Sequence, residues 1–379
     1  MRGGRKKLHL TVWLLILALL LSGCGSSAAP DSAVAAEIIG HMELVYADQF
    51  AVDRYSDGTS LITIAGTDRF LLLPSGAEIP EHDTDAVILR QPLGNIYLAA
   101  SSAMDLFLQL DALDRIRMTS TTEVNWALPE VVSAMEDGSL LYAGKYSAPD
   151  FELVLSQNCA LAIESTMIYH SPEIQEKLED LGIPVLVERS SYESHPLGRV
   201  EWIKLYGLLL GLEEEADRFF DEQIQSLASL SEDEPSGKTV AFFHINSTGS
   251  VVVRKSGDYV AKMIELAGGQ YVFNDLGGED NALSTVNMQI ESFYAGARDA
   301  DVLIYNSTID GSLDTVDQLL AKSELLADFR AVRNGDVWCT GQNMFQQSSA
   351  SAGMIADIHA VLSGEADGRD ELNFLHRLK

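Results

Sequence analysis

The sequence has few cysteines, few basic residues and no long hydrophobic run. Its 379 residues include 3 cysteines, and 26 lysines and arginines stand against 56 aspartates and glutamates, a formal net charge of −30. The shortage of basic side chains argues against nucleic-acid binding, which needs them in clusters to neutralise phosphates. The absence of repeated apolar stretches of about 20 residues excludes a polytopic membrane protein. A hydrophobic content of 46% is too high for a disordered chain and predicts a soluble globular body of two domains.

A basic and then apolar N-terminus precedes the acidic body. Four basic side chains within the first seven residues are followed by an apolar core at 12–21. This core is too short to cross a membrane, and its order after basic residues is typical of an export signal peptide. We therefore predict a signal peptide at 1–23, without which the remaining chain carries a charge of −34.

The apolar core ends in Leu21-Ser22-Gly23-Cys24. This run resembles the lipobox of bacterial lipoproteins, in which the cysteine is linked to diacylglycerol. The resemblance implies lipidation of Cys24, export, and anchoring to the outer face of the cell membrane, and a plain signal peptide with a chance cysteine is the alternative. Residues 24–36 are predicted to form a flexible tether. Cys159 and Cys339 stand among apolar residues and are predicted to be buried thiols, although export would also permit a disulfide between them.

The spacing of apolar residues changes along the chain. Short β runs with turn signals fill the region before residue 97, with a strand predicted at 43–47. Helices then alternate with apolar runs, which predicts parallel strands joined by helical crossovers. Helical periodicity at 199–230 predicts one long helix, with Gly211 as the expected position of a kink. The alternation resumes after a polar segment at 231–237 and ends in a helix predicted at 349–362.

This organisation predicts an α/β fold of two open-sheet lobes joined by a long interlobe helix, with a β-rich N-terminal segment. The predicted boundaries are 37–198 for the N-terminal lobe, 199–237 for the interlobe helix and linker, and 238–379 for the C-terminal lobe with its terminal helix. Ligands of open α/β sheets sit beyond the carboxyl ends of the strands, so the loops there should line a cleft. Those loops are 119–126, 144–147, 164–170, 188–196, 244–250, 306–310 and 340–347.

The chain lacks the short motifs of common enzymes. It has no G-x-S-x-G, H-E-x-x-H, C-x-x-C, G-x-G-x-x-G or G-x-x-x-x-G-K sequence. We therefore predict no catalytic residue, no enzymatic activity and no cofactor. Because catalytic groups also assemble across a fold, an exported carboxylate-dependent hydrolase stays as a less favoured alternative.

Two further runs carry a resemblance to a known family. Leu110-Asp111-Ala112-Leu113-Asp114-Arg115-Ile116 resembles the family's first helix-to-strand junction, and the stretch from Ile183 to Trp202 resembles the approach to its interlobe helix. With the lipobox and the two lobes, these runs make the chain similar to the solute-binding lipoproteins of ABC importers, in the class III group that serves ferric siderophores, haem and cobalamin. The likeness covers residues 98–362, and the β-rich segment before Tyr97 departs from it.

The resemblance implies a monomeric binder that delivers an iron chelate or related tetrapyrrole to an importer permease. In this family one glutamate on each lobe meets arginines of the permease, and the matching patterns place these at Glu152 and Glu291. Each is alternatively an ordinary acid in the first turn of a helix. A binder of bare zinc or manganese is the other alternative, with candidate ligands His170, His195 and His244 and no supporting local spacing.

The candidate ligand-binding residues are aromatic and polar side chains in the loops after the strands, a mixture that suits a bulky amphipathic ligand. Arg199 is the candidate for binding a ligand carboxylate, with a protein acid such as Glu201 as its alternative partner. Haem ligation by histidine, tyrosine, Met167 or Met344 is compatible with the same loops. The predicted ligand-binding set is Trp126, Tyr146, Met167, Tyr169, Tyr192, His195, Arg199, His244, Asn306 and Phe345.

Overall fold

The computed structural model describes residues 36–230, 235–277, 285–307 and 311–379. Residues 38–379 form one structural unit, organised around three large sheets and a two-stranded one. No helix in these described ranges is long and apolar enough to cross a membrane. The predicted signal peptide, the lipidation site Cys24 and the tether as far as residue 35 lie outside the described residues.

Five strands before residue 91 form a sheet of their own, the N-terminal sheet. They are β1 (Ile38–His41), β2 (Phe50–Tyr55), β3 (Ser60–Ile64), β4 (Asp68–Leu73) and β5 (Val87–Arg90). Neighbours pair antiparallel from β1 to β4, and β5 joins β4 in parallel. The β-rich segment is confirmed, but the strand predicted at 43–47 is wrong. Those residues run irregularly between β1 and β2 because side-chain carboxylates, not a neighbouring strand, bind their backbone.

The first lobe contains a parallel sheet in the order β12-β11-β6-β7-β8. The predicted parallel arrangement with helical crossovers is therefore confirmed. Its strands are β6 (Ile96–Leu98), β7 (Ile116–Thr119), β8 (Leu141–Tyr142), β11 (Leu161–Ser165) and β12 (Val185–Glu188), with a small hairpin of β9 (Gly144–Lys145) and β10 (Ala148–Pro149). Its helices are α1 (Met104–Gln109), α2 (Pro129–Glu136), α3 (Phe151–Ser156) and α4 (Pro172–Asp180).

Two helices, α5 (Pro196–Leu210) and α6 (Glu213–Leu230), occupy the region predicted as one long helix. Gly211 ends α5 in a left-handed conformation with φ of 75°, which glycine adopts without steric cost. A Cβ on Gly207 would lie 2.6 Å from the Ala216 Cβ, so the two helices approach closely. The prediction of one continuous helix at 199–230 is therefore wrong, although Gly211 is where the chain changes direction.

The second lobe is built on a mixed sheet in the order β16-β14-β13-β17-β18-β19, with β15 beside β13. Its central strands are parallel, but β14, β16 and β19 run antiparallel to their neighbours, so it does not repeat the first lobe. The strands are β13 (Thr239–Ile245), β14 (Val251–Arg254), β15 (Gln270–Tyr271), β16 (Thr285–Met288), β17 (Val302–Tyr305), β18 (Val337–Thr340) and β19 (Leu375–Arg377). The helices are α7 (Tyr259–Leu266), α8 (Ile290–Ala297), α9 (Val316–Lys322), α10 (Arg330–Asn334) and α11 (Ser351–Ser363).

Helix α5 connects the cores of the two lobes. Every one of its residues except Lys204 is buried. It packs against α1 of the first lobe and against α7 and α11 of the second. Because a helix buried on all sides has no solvent-facing side, α5 shows no amphipathic stripe, and its charged residues Arg199 and Glu201 are buried together with the apolar ones.

Candidate ligand-binding cleft

Large apolar side chains are exposed in the loops at the carboxyl edge of the first lobe's sheet. Val124 follows β7, Tyr142 ends β8, and Met167 and Tyr169 follow β11, with between 40% and 87% of each side chain exposed. Neighbouring exposed apolar residues are typical of a binding surface. Met167 and Tyr169 belong to the predicted set, whereas Val124 and Tyr142 were missed. Val124 stands inside a loop that the strand-end rule selects, so the rule itself could have found it.

Arg189, directly after β12, brings two predicted residues together. Its Nη1 lies 3.4 Å from the Tyr169 hydroxyl oxygen, and its guanidinium carbon lies 4.3 Å from the centre of the Tyr192 ring. Its Nε donates to Gln49 Oε1 at 3.1 Å. Arg189 was missed because the sequence favoured Arg199, at the start of the predicted interlobe helix, over an arginine at the end of a strand. The structure thus places a guanidinium and two tyrosines at the exposed edge.

Arg199 is held inside the protein. Only 5% of the residue is exposed, and its guanidinium carbon lies 4.0 Å from the centre of the Tyr259 ring. Burial raises the pKa of Glu188 and of Asp258, and the charge of Arg199 partly offsets this rise at both carboxyls. Glu201, the acid named from the sequence, binds the backbone at 45–47 instead. These contacts favour the alternative of a protein-bound arginine, and a ligand carboxylate on Arg199 stays a prediction.

Gln346 of the second lobe joins the first lobe beside Trp126. Its Oε1 accepts from the Ala127 N–H at 2.7 Å, and its Nε2 donates to the Asn125 carbonyl at 2.8 Å. Trp126 stands between these two residues, and its buried indole N–H has no partner among the described atoms. Phe345 directly precedes Gln346. The structure therefore brings the loops of Trp126 and Phe345 together across the two lobes.

A second set of hydrogen bonds joins the two lobes through Ser348 and Ser349, shortly after Gln346. The Ser348 hydroxyl donates to the Ser102 carbonyl at 2.7 Å, and the Ser349 N–H donates to Asp105 Oδ2 at 2.9 Å. The cavity beside Arg199 at this point has a volume of about 10 Å³. A chelate or tetrapyrrole cannot enter so small a cavity, whereas a larger cavity of about 260 Å³ lies beside Ser194, His195 and Lys262.

His195 acts as a helix cap. Its Nδ1 accepts from the Leu197 N–H at 3.1 Å at the start of α5, and its ring stacks on that of Tyr46 with centres 4.2 Å apart. Burial lowers the pKa of His195 to about 4, so the ring is neutral at pH 7. Sequence reasoning missed this role because the stacking partner comes from a segment 149 positions upstream.

The other predicted residues lie apart from the Arg189 site. His244 is buried in β13, and Asn306 is buried directly after β17. Tyr146, in the turn between β9 and β10, packs against the smaller core of the first lobe, and His170 is exposed. Ligand contact by His244, Asn306 and Tyr146 stays a prediction. Within the described ranges, no group of three or more histidine, cysteine, aspartate or glutamate side chains is placed to hold a metal ion.

The described core matches a known family over most of its length. Residues 97–344 match the family described as Periplasmic binding protein. The chain belongs to this family. Both lobes contribute to the match, whereas the whole N-terminal sheet lies outside it.

Comparison with individual relatives and solved structures shows how far the likeness extends. An uncharacterized lipoprotein of Methanocaldococcus jannaschii is 26% identical over 244 residues, which are 64% of this chain and 57% of that protein. The match thus spans less than two thirds of that relative. The periplasmic heme binding protein of Vibrio cholerae aligns with 19% identity and a TM-score of 0.57, covering 70% of this chain and 98% of that one. The ABC-type Fe3+-hydroxamate transport system of Saccharomonospora viridis aligns with 18% identity and a TM-score of 0.54, covering 70% and 92%.

In this periplasmic binding protein, Glu152 and Glu291 lie one on each lobe, each as the second residue of its helix. Both are exposed in the first turn of a helix, Glu152 on α3 and Glu291 on α8. Asp150 caps α3 by accepting from the Leu153 N–H at 3.0 Å, which leaves the Glu152 carboxylate free of the capping role. Their contact with a permease stays a prediction.

Two further acids are buried at the ends of neighbouring strands but do not face each other. Glu164 of β11 pairs with Val187 of β12, while Glu188 of β12 pairs with Ser165. Paired residues point to the same face and successive residues alternate, so Glu164 and Glu188 point to opposite faces of the sheet. A hydrolase that used these two carboxyls on one substrate would need both on one side.

The Glu164 carboxyl should make stability depend on pH. Both of its oxygens lack a partner among the described atoms, and burial raises its pKa from 4.5 to about 8. Between pH 4.5 and about 8, the Glu164 carboxyl carries a proton in the folded protein that it has lost in the unfolded chain. The free energy of unfolding therefore falls as pH rises through this window, and Glu164 contributes up to about 5 kcal/mol to the fall. Urea unfolding at pH 5 and pH 9 should show a smaller fall for Glu164→Gln than for wild type.

The exposed Glu176 of α4 supplies the control for this measurement. Glu176→Gln removes the same charge from the surface and should keep the wild-type fall in stability. Because Glu193 also has a pKa raised by burial, to about 7, part of the fall should persist in Glu164→Gln. An unchanged fall in that variant would contradict the assignment to Glu164.

Proposed function

We propose that this chain is a membrane-anchored solute-binding protein that captures an iron chelate, or a related tetrapyrrole such as haem or cobalamin, and delivers it to an ABC importer permease. The observation that carries the proposal is the set of exposed apolar side chains at the carboxyl ends of the first lobe's strands, where the Arg189 guanidinium contacts Tyr169 and Tyr192. Binding sites of open α/β folds lie at this edge.

The chemistry of this edge suits a large ligand with both apolar and anionic parts. Val124, Met167 and Tyr169 offer apolar and aromatic surface on which a macrocycle or an aromatic chelating group packs. Arg189 offers a guanidinium that binds carboxylates with directed hydrogen bonds. This apolar surface would contribute nothing to the binding of a bare metal ion. Family members whose names include heme and Fe3+-hydroxamate support this ligand class.

Anchoring and delivery complete the proposal. Cys24 is the proposed lipidation site, and a relative named as a lipoprotein supports anchoring at the outer face of the membrane. Glu152 and Glu291 are proposed to contact the permease, one from each lobe, as exposed carboxylates that guide a basic partner. The protein acts as a monomer that binds and releases its ligand without catalysis.

Fluorescence titration tests the proposed ligand class. Trp126 stands between the two residues that Gln346 of the second lobe binds, whereas Trp202 and Trp338 are fully buried. Purified protein titrated with ferric siderophores, haemin, cyanocobalamin, zinc and manganese should respond to one of the chelates or tetrapyrroles, and Trp126→Phe should lose most of the response. Saturation by a bare metal alone would contradict the proposal.

Arg189→Ala should weaken binding of an anionic ligand by about 10- to 100-fold, because hydrogen bonds to charged groups contribute about 1.5–3 kcal/mol. Isothermal titration with the ligand identified above measures the loss. Arg218→Ala is the matched control, since it removes a guanidinium from the exposed side of α6 away from the cleft. Equal affinities of the two variants would remove Arg189 from the site.

A further inference from the structure

Part of the N-terminal sheet region is bound to the loop and helix that carry the first lobe's ligand site. Glu201 of α5 accepts backbone N–H groups of Val45, Tyr46 and Ala47 at 2.8 to 3.1 Å. Residues 45–49 are called the latch segment below. This segment lies outside the residues that match the family, so its contacts belong to a part of the chain added to the family fold.

Glu193 holds the other end of the latch segment. Its carboxylate accepts from the Asp48 N–H at 2.9 Å, from the Gln49 N–H at 3.1 Å and from the Trp202 indole N–H at 2.8 Å. Glu193 is fully buried, four residues after Arg189. The carboxylates of Glu193 and Glu201 therefore fix the backbone of Gln49 relative to the loop after β12.

The side chain of Gln49 is oriented as well. Its Nε2 donates to Asp48 Oδ1 at 2.5 Å, which turns its Oε1 toward Arg189, whose Nε donates to it at 3.1 Å. Arg189 is then held at Nε by Gln49, at Nη1 by Tyr169 and on one face by Tyr192. An arginine side chain on a loop otherwise samples many rotamers. Restricting it to one rotamer before the ligand binds reduces the conformational entropy lost on binding.

We propose that Gln49 is a positioning residue for the ligand site: it fixes the Arg189 guanidinium so that its remaining N–H groups meet a carboxylate or similar anionic group of the ligand. This inference rests on the proposed function, because it takes the Arg189 edge as the place where a chelate or tetrapyrrole binds. The added N-terminal region thereby becomes part of the ligand site and favours ligands with an anionic group.

Gln49→Ala and Gln49→Glu separate positioning from charge. Both keep the backbone N–H that Glu193 binds, so both should unfold within about 3 °C of wild type, as surface changes do. In Gln49→Ala, Arg189 loses its acceptor and should react faster with phenylglyoxal, by about threefold, as expected for one lost hydrogen bond. In Gln49→Glu the acceptor remains and the reaction should stay at or below the wild-type rate. Arg117, bound by Gln157 and by the Gly138 carbonyl, serves as the internal control.

Binding of haemin, which carries two carboxylates, supplies the second readout. Its affinity should fall about threefold in Gln49→Ala, because the guanidinium is no longer oriented, and further in Gln49→Glu, because the new carboxylate neutralises Arg189. Affinity for the uncharged probe cyanocobalamin should be equal in all three proteins. A wild-type reaction rate at Arg189 in Gln49→Ala would overturn the positioning role, and so would unchanged haemin affinity.

The two readouts also distinguish this inference from the proposed function. If wild type binds none of haemin, cyanocobalamin and the ferric chelates, the proposed function fails and the anionic preference fails with it. If it binds cyanocobalamin alone, the proposed function stands and the anionic preference fails. The phenylglyoxal rates do not depend on a ligand, so they still decide whether Gln49 fixes Arg189. A faster rate supports that role, and an unchanged rate overturns it.

Discussion

Charge reversal at Glu152 and Glu291 together should lower ligand uptake by cells at least tenfold while leaving ligand affinity unchanged. Each carboxylate is exposed at the start of a helix, one on each lobe. A lysine at both positions would repel the basic permease side chains that they are proposed to meet, and repulsion of like charges costs several kcal/mol. Uptake of labelled ligand by cells that carry the importer measures the first quantity, and titration of the purified Glu152→Lys, Glu291→Lys variant measures the second.

First-turn acids of other helices provide a matched control for this experiment. Glu173 of α4 and Asp317 of α9 are also exposed in the first turn of a helix, one on each lobe. Lysine at both changes the net charge by the same amount and should leave uptake near wild type. Equal loss of uptake in the control pair would show a general charge effect, and a parallel loss of ligand affinity at Glu152 and Glu291 would contradict permease contact.

Glu201→Ala should destabilise the protein by about 3–5 kcal/mol, as expected when one partner of a buried ionic network is removed. The change removes the acceptor for three backbone N–H groups of the latch segment and for Lys204 Nζ, which lies 3.1 Å from Glu201 Oε1. Each buried donor left without an acceptor costs about 1–3 kcal/mol. Urea unfolding monitored by circular dichroism measures the loss.

Glu222→Ala, at an exposed position of α6, is the control for this variant and should change stability by less than about 0.5 kcal/mol. Limited proteolysis adds a local measurement, because the latch segment should become the first site of cleavage in Glu201→Ala. Wild-type stability together with an intact latch segment in this variant would contradict the role given to Glu201.

The fold was largely predictable because its signal is local. The spacing of apolar residues predicts the parallel strands of the first lobe, and the turn signals before residue 97 predict a β-rich region. The end of α5 at Gly211 was harder to predict, since apolar residues continue on both sides of Gly211. Periodicity alone does not show that the chain changes direction there. The antiparallel strands β16 and β19 were missed because pairing of short strands depends on distant partners.

The candidate site was predictable as a set of loops but not as a set of contacts. The rule that ligands bind beyond strand ends selects the loops of Tyr169 and Tyr192, and the structure brings both side chains to one guanidinium. It does not tell Arg189 from Arg199, because the sequence carries no sign of which arginine is enclosed by protein acids. Only the tertiary structure shows that Arg199 is the enclosed arginine, because it buries Glu188 and Asp258, whose carboxyls the charge of Arg199 affects.

By itself the sequence determined that this protein has an acidic body behind a basic and apolar N-terminus, two α/β lobes, and a resemblance to solute-binding lipoproteins. Composition and periodicity predict the acidic body and the two lobes, and the resemblance rests on short runs of residues, so each of these points depends on neighbouring residues. Only the tertiary structure decided that residues 45–49 are bound by Glu193 and Glu201, and that Gln49 therefore meets Arg189. These partners are about 140 to 156 positions apart, and hydrogen bonds over such separations follow from packing rather than from any pattern in the chain.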